Sequence, residues 1–307
     1  MDLSPVESIQ GLRFKREDKF APLGYGGING SKLRQLIWLV YQYKSKGNSA
    51  GLISGASVKS PQISMGTAVA NHFGLPSTHV IGATNPKSSL QHSDVKIATM
   101  LGATFEYSKV AYNFALQTKV QQLLSTRKYR NYMYLEYGVT LDHTKHSAER
   151  IEQFHRIGAE QVRNIPECDA LIVPSGSCNS LTSVLYGLAL YKPSIKKLIL
   201  IEIGPSRRKW VYERMAVIQN SMEGLKTDVL GVFDKYPIEY HDLHGSKYVT
   251  YQDTMDYTHA DIEFHPRYEG KVMTYISRRQ PSLLNEDNLF WIIGAKSKIE
   301  KMEEFIK

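Results

Sequence analysis

The chain has 307 residues, 42% of them hydrophobic and 22% charged, enough for one large domain or two modest ones with real cores. Its 38 Lys and Arg against 30 Asp and Glu leave a formal charge of +8, spread along the sequence, which attracts anionic partners without choosing among them. No run approaches the roughly 18 apolar residues of a membrane span. Residues 1–16 lack the pattern of a secretory signal, and two cysteines cannot build a disulfide framework, so a cytoplasmic protein with no membrane segment is expected.

In chain order, Leu33, Leu36, Ile37, Val40 and Tyr41 share one helix face, and Gly47 ends that helix. A short strand follows at 51–54. Ser60 then suits an N-cap and Pro61 the first turn of a helix running to about 73. The alternation continues with strands at 78–81, 104–107 and 132–135, and helices at 88–101, 112–124 and 147–164. Beyond these, 170–173 and 198–203 read as buried strands around a helix at 181–190. Such βα alternation predicts α/β architecture with mainly parallel sheets flanked by helices. Residues 229–266, rich in Tyr, His and Asp, read as loops, and 296–307 as a charged amphipathic helix.

Four segments stand out chemically. Asn29-Gly30-Ser31-Lys32 sets a lysine where a Gly-rich loop enters a helix; glycine permits close backbone approach, and the helix dipole disfavours a lysine there without a task. The preceding Gly24–Gly30 stretch does not match dinucleotide-loop spacing. Ser57-Val58-Lys59-Ser60-Pro61-Gln62 opens a helix whose N–H and hydroxyl groups can hold a carboxylate. Pro174-Ser175-Gly176-Ser177-Cys178-Asn179-Ser180 joins a buried strand to a helix, a place for an anion. The fourth is Tyr268-Glu269-Gly270-Lys271. The pairs His143/His146 and His241/His244 lack accompanying Cys or acidic ligands, so no metal site is expected. No nucleophile elbow is recognisable.

Together with Lys15-Arg16-Glu17-Asp18, these segments resemble the 1-aminocyclopropane-1-carboxylate deaminase and D-cysteine desulfhydrase branch of the fold-type-II pyridoxal-phosphate (PLP) enzymes, the tryptophan-synthase-β superfamily. The resemblance covers about residues 13 to 295. It implies PLP as cofactor, with Lys32 as its Schiff-base residue and Ser175, Gly176, Ser177, Cys178, Asn179 and Ser180 as the phosphate loop. It further implies Ser60 and Gln62 at the substrate carboxylate, Glu269 at the pyridine nitrogen, and Tyr268 as a proton-exchanging group against the cofactor. The chain departs from the pattern at Pro61, where the family has asparagine, at Cys178 and Asn179, which replace glycines, and at Ile292-Ile293, which replace a polar pair.

The departures at Pro61 and Ile292-Ile293 fall among the contacts that choose which bond at Cα breaks, and point away from a standard deaminase or desulfhydrase. A looser resemblance is to bacteriophage PLP enzymes that process amino acids attached to thymidine in DNA. The function expected is a PLP-dependent lyase that decarboxylates a seryl or glycyl adduct on thymidine in phage DNA, in the host cytoplasm. Arg207, Arg208, Lys209, Arg278 and Arg279 are then candidate phosphate contacts. The alternatives are a deaminase or desulfhydrase acting on a free amino acid, and a non-catalytic binding protein that retains the fold. The expected architecture is a large PLP-binding domain from residues 1–45 and 161–307, a small inserted αβ domain at 46–160, PLP in the cleft, and a homodimer by analogy.

Overall fold

A computed structural model describes every residue except 1, 26, 84, 222–226, 251, 252, 301 and 303–307. The amphipathic helix expected over 296–307 lies largely outside the described residues, as does Gly26 of the Gly-rich loop. In chain order, β1 (Val6–Ile9) and β2 (Leu12–Arg16) precede α1 (Ser31–Ser45), β3 (Leu52–Ala56), α2 (Gln62–His72) and β4 (Ser77–Gly82). Next come α3 (Pro86–Ser89), α4 (Ser93–Met100), β5 (Thr104–Ser108), α5 (Asn113–Leu124) and β6 (Met133–Leu135). Then follow α6 (Ala148–Ala159), β7 (Cys168–Ser175), α7 (Asn179–Tyr191), β8 (Ile195–Glu202) and α8 (Arg208–Ser221). The chain continues through α9 (Val232–Lys235), β9 (Ile238–Asp242), β10 (Thr258–His259), β11 (Ile262–Glu263), α10 (Glu269–Arg279) and β12 (Leu289–Ile292). No described helix is long and apolar enough to cross a membrane.

The contacts divide the chain into two units. The first comprises Met1–Phe20, Gly30–Arg34 and His143–Lys296. Its sheet has the order β1-β2-β12-β7-β8-β9, parallel except for the β1–β2 hairpin at one edge. Ile172, Ile199 and Ile201 on the strands pack with Val272, Met273 and Ile276 of α10, and with Phe14 and Phe290. Each such burial contributes roughly 1.5–3 kcal/mol. The expected boundary at 160 falls instead at His143. The reason is α6, whose Ile151 and Phe154 are fully buried. Its His155 Nδ1 lies 2.9 Å from Ser183 Oγ, and Arg156 donates to the Tyr186 hydroxyl at 2.8 Å, which pins α6 to α7.

The Lys15–Asp18 segment forms a buried charge network in this unit. Lys15 Nζ donates to the Ser4 carbonyl at 2.7 Å and to Asn164 Oδ1 at 2.5 Å. Arg16 pairs with Glu7 and Asp18, and Glu17 with Arg34 at 3.2 Å. Burial lowers the Lys15 amine to about 8. Pairing makes these charges tolerable inside.

The second unit comprises Ala21–Asn29, Gln35–Asp142 and Ser297–Lys307. Its four-stranded sheet, β5-β4-β3-β6, is wholly parallel. Strand alternation sends Ile53 and Val80 to the face covered by Leu116 and Val120 of α5, while Ile81 packs with Ile63 of α2 and Val95 and Ala98 of α4. Between them His79 is fully buried, 2.8 Å from both Ser54 Oγ and Thr67 Oγ1, and burial pushes it down to about 3.

Candidate functional site

Lys32 opens α1 just after Gly30, whose φ of +106° and missing Cβ allow close passage. A Cβ there would stand 2.8 Å from the Ile293 carbonyl oxygen, which only glycine avoids. The Ser31 N–H donates to that same carbonyl at 2.8 Å, and Ser31 Oγ lies 2.8 Å from Ser180 Oγ. Ser31, the neighbour of the lysine, is therefore tied both to the residue after β12 and to the start of α7. Burial lowers the Lys32 amine to about 8; Glu269 and Cys178 oppose the shift and Arg207 adds to it. Such a lysine offers far more neutral amine near pH 7 than an ordinary one, as attack on an aldehyde requires.

Ser175 ends β7, Gly176, Ser177 and Cys178 form the turn, and Asn179 and Ser180 begin α7. Cys178 has φ 63° and ψ 6°, left-handed backbone that costs a non-glycine residue roughly 1–2 kcal/mol. The turn thus holds Cys178 in a backbone conformation that glycine adopts at no steric cost. Consecutive N–H groups in such a turn, ahead of a helix N-terminus, make an anion cradle. The Cys178 thiol lies 3.1 Å from Ser175 Oγ, and burial raises its pKa. Behind the turn, the fully buried Arg214 donates to Asn179 Oδ1 at 3.3 Å and lies over the Trp210 ring at 3.3 Å. Tyr268 borders the turn, its ring 3.8 Å from where a Gly176 Cβ would be.

Glu269 is the first residue of α10 and is almost wholly buried. Its Oε1 accepts the Ile293 N–H at 3.0 Å, while its Oε2 has no hydrogen-bond partner among the described residues. Burial raises its pKa to about 7, against the N–H groups of Ile293 and Gly294. His265 joins the group unannounced by any motif, packed against Tyr268 with ring centroids 4.7 Å apart and the planes tilted by 50°. Burial pushes it down to about 3, helped by the charges of Arg267, Lys296 and Lys32, so its ring is neutral. Its only sequence signal is its place three residues before Tyr268.

Taken as a donor set, these residues fit pyridoxal phosphate. An amine of lowered pKa is joined through Ser31 and Ser180 to an anion-binding turn. The buried Oε2 of Glu269 still wants a donor, which a pyridinium N–H would supply. Lys32, Ser180 and Glu269 are thus brought together around the carboxyl end of β12, and Tyr268 around the β7–α7 turn.

In the second unit, Ser60 and Gln62 lie at the start of α2, after the carboxyl end of β3. Ser60 Oγ accepts the Gln62 N–H at 3.3 Å, one residue ahead of the helix, with Pro61 as the cap. The Gln62 side chain is committed elsewhere: its Oε1 accepts the Gly138 N–H at 2.7 Å and its Nε2 donates to the Glu136 carbonyl at 3.2 Å. Several expected phosphate contacts are also engaged otherwise. Arg208 pairs with Glu202 at 2.5 Å and stacks on Tyr240, Lys209 is 3.8 Å from Glu213, and the Arg207 guanidinium lies 6.0 Å from the Trp210 ring centroid. Arg278 and Arg279 are exposed on the last turn of α10. Among the described residues no group of three or more His, Cys, Asp or Glu could hold a metal ion.

No family model matches the sequence. A curated relative, the O-seryl-dTMP PLP-dependent decarboxylase of Salmonella phage ViI, is 42% identical, covering 97% of this chain and 81% of the relative. Among solved structures, threonine deaminase isoform 2 from Solanum lycopersicum superposes with a TM-score of 0.58 at 14% identity, covering 98% of this chain and 81% of that one. Escherichia coli diaminopropionate ammonia lyase, in complex with an aminoacrylate-PLP azomethine intermediate, gives 0.57 at 12% identity, covering 100% and 88%. At such identities these two speak for the fold alone.

Proposed function

The chain belongs to the family of the phage O-seryl-dTMP PLP-dependent decarboxylase, on a fold-type-II scaffold, and from that we propose that it decarboxylates a seryl group carried by a thymidine nucleotide. The 42% identity across 97% of the chain carries this reading. PLP is the cofactor of the family, and when bound it supplies an electron sink for the pair left at Cα as a bond there breaks.

The chain's own residues divide the remaining work. Lys32 would anchor the cofactor covalently, and the turn from Ser175 to Ser180 would receive its phosphate. Glu269, whose Oε2 has no partner among the described residues, would face the ring nitrogen, and Tyr268 with Lys32 would supply the proton-bearing groups of the cradle. In the reaction the bond from Cα to the carboxylate breaks, carbon dioxide leaves, and a proton delivered to Cα takes its place, the amino group being retained. Pro61 favours that outcome. It has neither a donor side chain nor a backbone N–H, so the loop opening α2 grips a carboxylate less firmly. A weaker grip stabilises the ground state less, and so resists loss of carbon dioxide less. Ser60 keeps a hydroxyl in that loop, and Gln62 serves by holding residues 136–138 in place. The charge of +8 suits a nucleotide within DNA, handled in the host cytoplasm by a homodimer.

The test offers the PLP-loaded protein O-seryl-dTMP, free and within an oligonucleotide, and follows the products by mass spectrometry. Loss of carbon dioxide with retention of the nitrogen is expected. Ammonia release, or an unchanged adduct in both forms, overturns the reading.

A further inference from the structure

We propose that the carboxyl edge of the second unit's sheet is the surface that receives the DNA strand, with Tyr112 and Phe114 stacking on its bases and Lys59, Lys87 and Lys109 meeting its phosphates. The proposal rests on the reading that the adduct is borne by a nucleotide, and gives that nucleotide its carrier.

Tyr112 and Phe114 are 81% and 84% exposed, the most exposed of the large hydrophobic side chains among the described residues. Two aromatic side chains two residues apart, both left in water, signal a binding surface more than a folding need. They are not carried on a loose loop. Gly82, at the end of β4, lets Ala111 pack so closely that a Cβ would stand 2.5 Å from Ala111 Cα. Gln117 of α5 donates to the Gly55 carbonyl at 2.7 Å and to Asn113 Oδ1 at 2.9 Å, and accepts from the Tyr134 hydroxyl at 2.7 Å. Leu116, one turn into the same helix, is buried against Ile53 and Val80. The rings are therefore displayed by a pinned scaffold, which spares much of the ordering entropy that binding otherwise costs.

Charge selects the occupant. Strands β3, β4 and β5 are adjacent and parallel, so their following loops lie side by side at about 4.8 Å per strand. The segments after these three strands, residues 57–61, 85–92 and 109–112, hold Lys59, Lys87 (on α3) and Lys109 and no carboxylate, while the segment after β6, beside β3, carries Glu136 and Asp142. Lys87 and Lys109 are exposed and Lys59 half-buried. A row of cations beside rigid aromatic platforms matches a single strand, whose bases stack on rings while its phosphates follow the positive charge. Ser60, proposed at the substrate carboxylate, belongs to the first of these loops, so strand and adduct are recognised on the same edge.

The experiment measures binding of a fluorescent thymidine-rich single-stranded oligonucleotide by anisotropy, using PLP-loaded protein. The double variant Tyr112→Ala/Phe114→Ala should bind at least about tenfold more weakly, with cofactor absorbance and oligomeric state unchanged. Replacing the three lysines by Gln should lower the slope of log affinity against log salt by about 2. Unchanged affinity in both variants overturns the proposal. So does a change of oligomeric state in the aromatic variant, which would make the patch a subunit contact. If wild-type protein decarboxylates the free nucleotide while neither variant alters strand binding, this inference fails and the proposed reaction stands. If wild-type protein binds the strand through these residues yet decarboxylates nothing, the reaction fails instead.

Discussion

In the first unit the side chains with chemistry to do are hidden. Glu269 and His265 are buried, Lys32 and Cys178 are enclosed enough for burial to dominate their ionisation, and each is fixed by neighbours. Along the carboxyl edge of the second unit the reverse holds: Tyr112, Phe114, Lys87 and Lys109 stand in water, and only their backbone supports are buried. The contrast matches the roles proposed for the two regions. Shifting a lysine to about 8 and a carboxyl to about 7 needs a low-dielectric surrounding, where desolvation outweighs the neighbouring charges. Meeting a large polyanion needs accessible charge and accessible rings, where burial would defeat the purpose.

Three substitutions in the buried region sharpen that contrast. Lys32→Ala should abolish the visible band of the bound cofactor and lower turnover by about a thousandfold or more, measured by absorbance and single-turnover kinetics. Single-strand binding should survive, because the exposed edge does not depend on the amine; loss of both together would break the division between the two regions.

Glu269→Gln is next in size. Turnover should fall on the order of a hundredfold, since the ring nitrogen loses its anionic partner. Stability of the cofactor-free protein should move the other way. The folded pKa of Glu269 is raised from 4.5 to about 7, so the folded state holds its proton longer than the unfolded chain. Folding stability therefore declines as pH rises from 4.5 to about 7, and the cost persists above that. Removing the charge should raise the melting temperature by a few degrees at pH 8, with the gain vanishing below about pH 4.5, as thermal scans at the two pH values would read. An equal gain at both would show that burial does not control the group.

The smallest effect is expected at Cys178→Gly. Relief of the left-handed backbone is worth about 1 kcal/mol, partly offset by the lost thiol contact and by glycine's entropy in the unfolded chain. The melting temperature should change by no more than about two degrees, with PLP affinity retained. A collapse of PLP affinity would assign the thiol a direct part in holding the phosphate.

Much of the second unit was legible in the sequence. Strands expected at 78–81, 104–107 and 132–135 lie within a residue or so of β4, β5 and β6, because each is a short apolar run between helical periods. The first unit was harder to read. The β1–β2 hairpin went unrecognised because Lys15, Arg16 and Glu17 look like surface residues, although partners far along the chain allow them inside. Ile238–Asp242, read within a loop, is a half-exposed edge strand whose Glu, Tyr, His and Asp hide its period. Tyr268–Lys271 is the start of a helix, declared only by the buried Val272, Met273 and Ile276 that follow. For the site, residue types and their order pointed to Lys32, Glu269 and the 175–180 turn, but not to His265, nor to the Gln62 side chain being spent on residues 136–138.

By itself the sequence determined the α/β alternation, the order of the motif residues and the cofactor they suit, because periodicity and functional-group chemistry are local properties of the chain. Tertiary structure decided which of those groups are desolvated and which are already paired. Among the described residues it left Glu269 Oε2 without a donor while giving Arg208 to Glu202, and it half-buried Lys32 while exposing Tyr112 and Phe114. Burial and pairing depend on residues distant in sequence, and the same carboxylate or amine acquires different chemistry according to which neighbours folding brings to it.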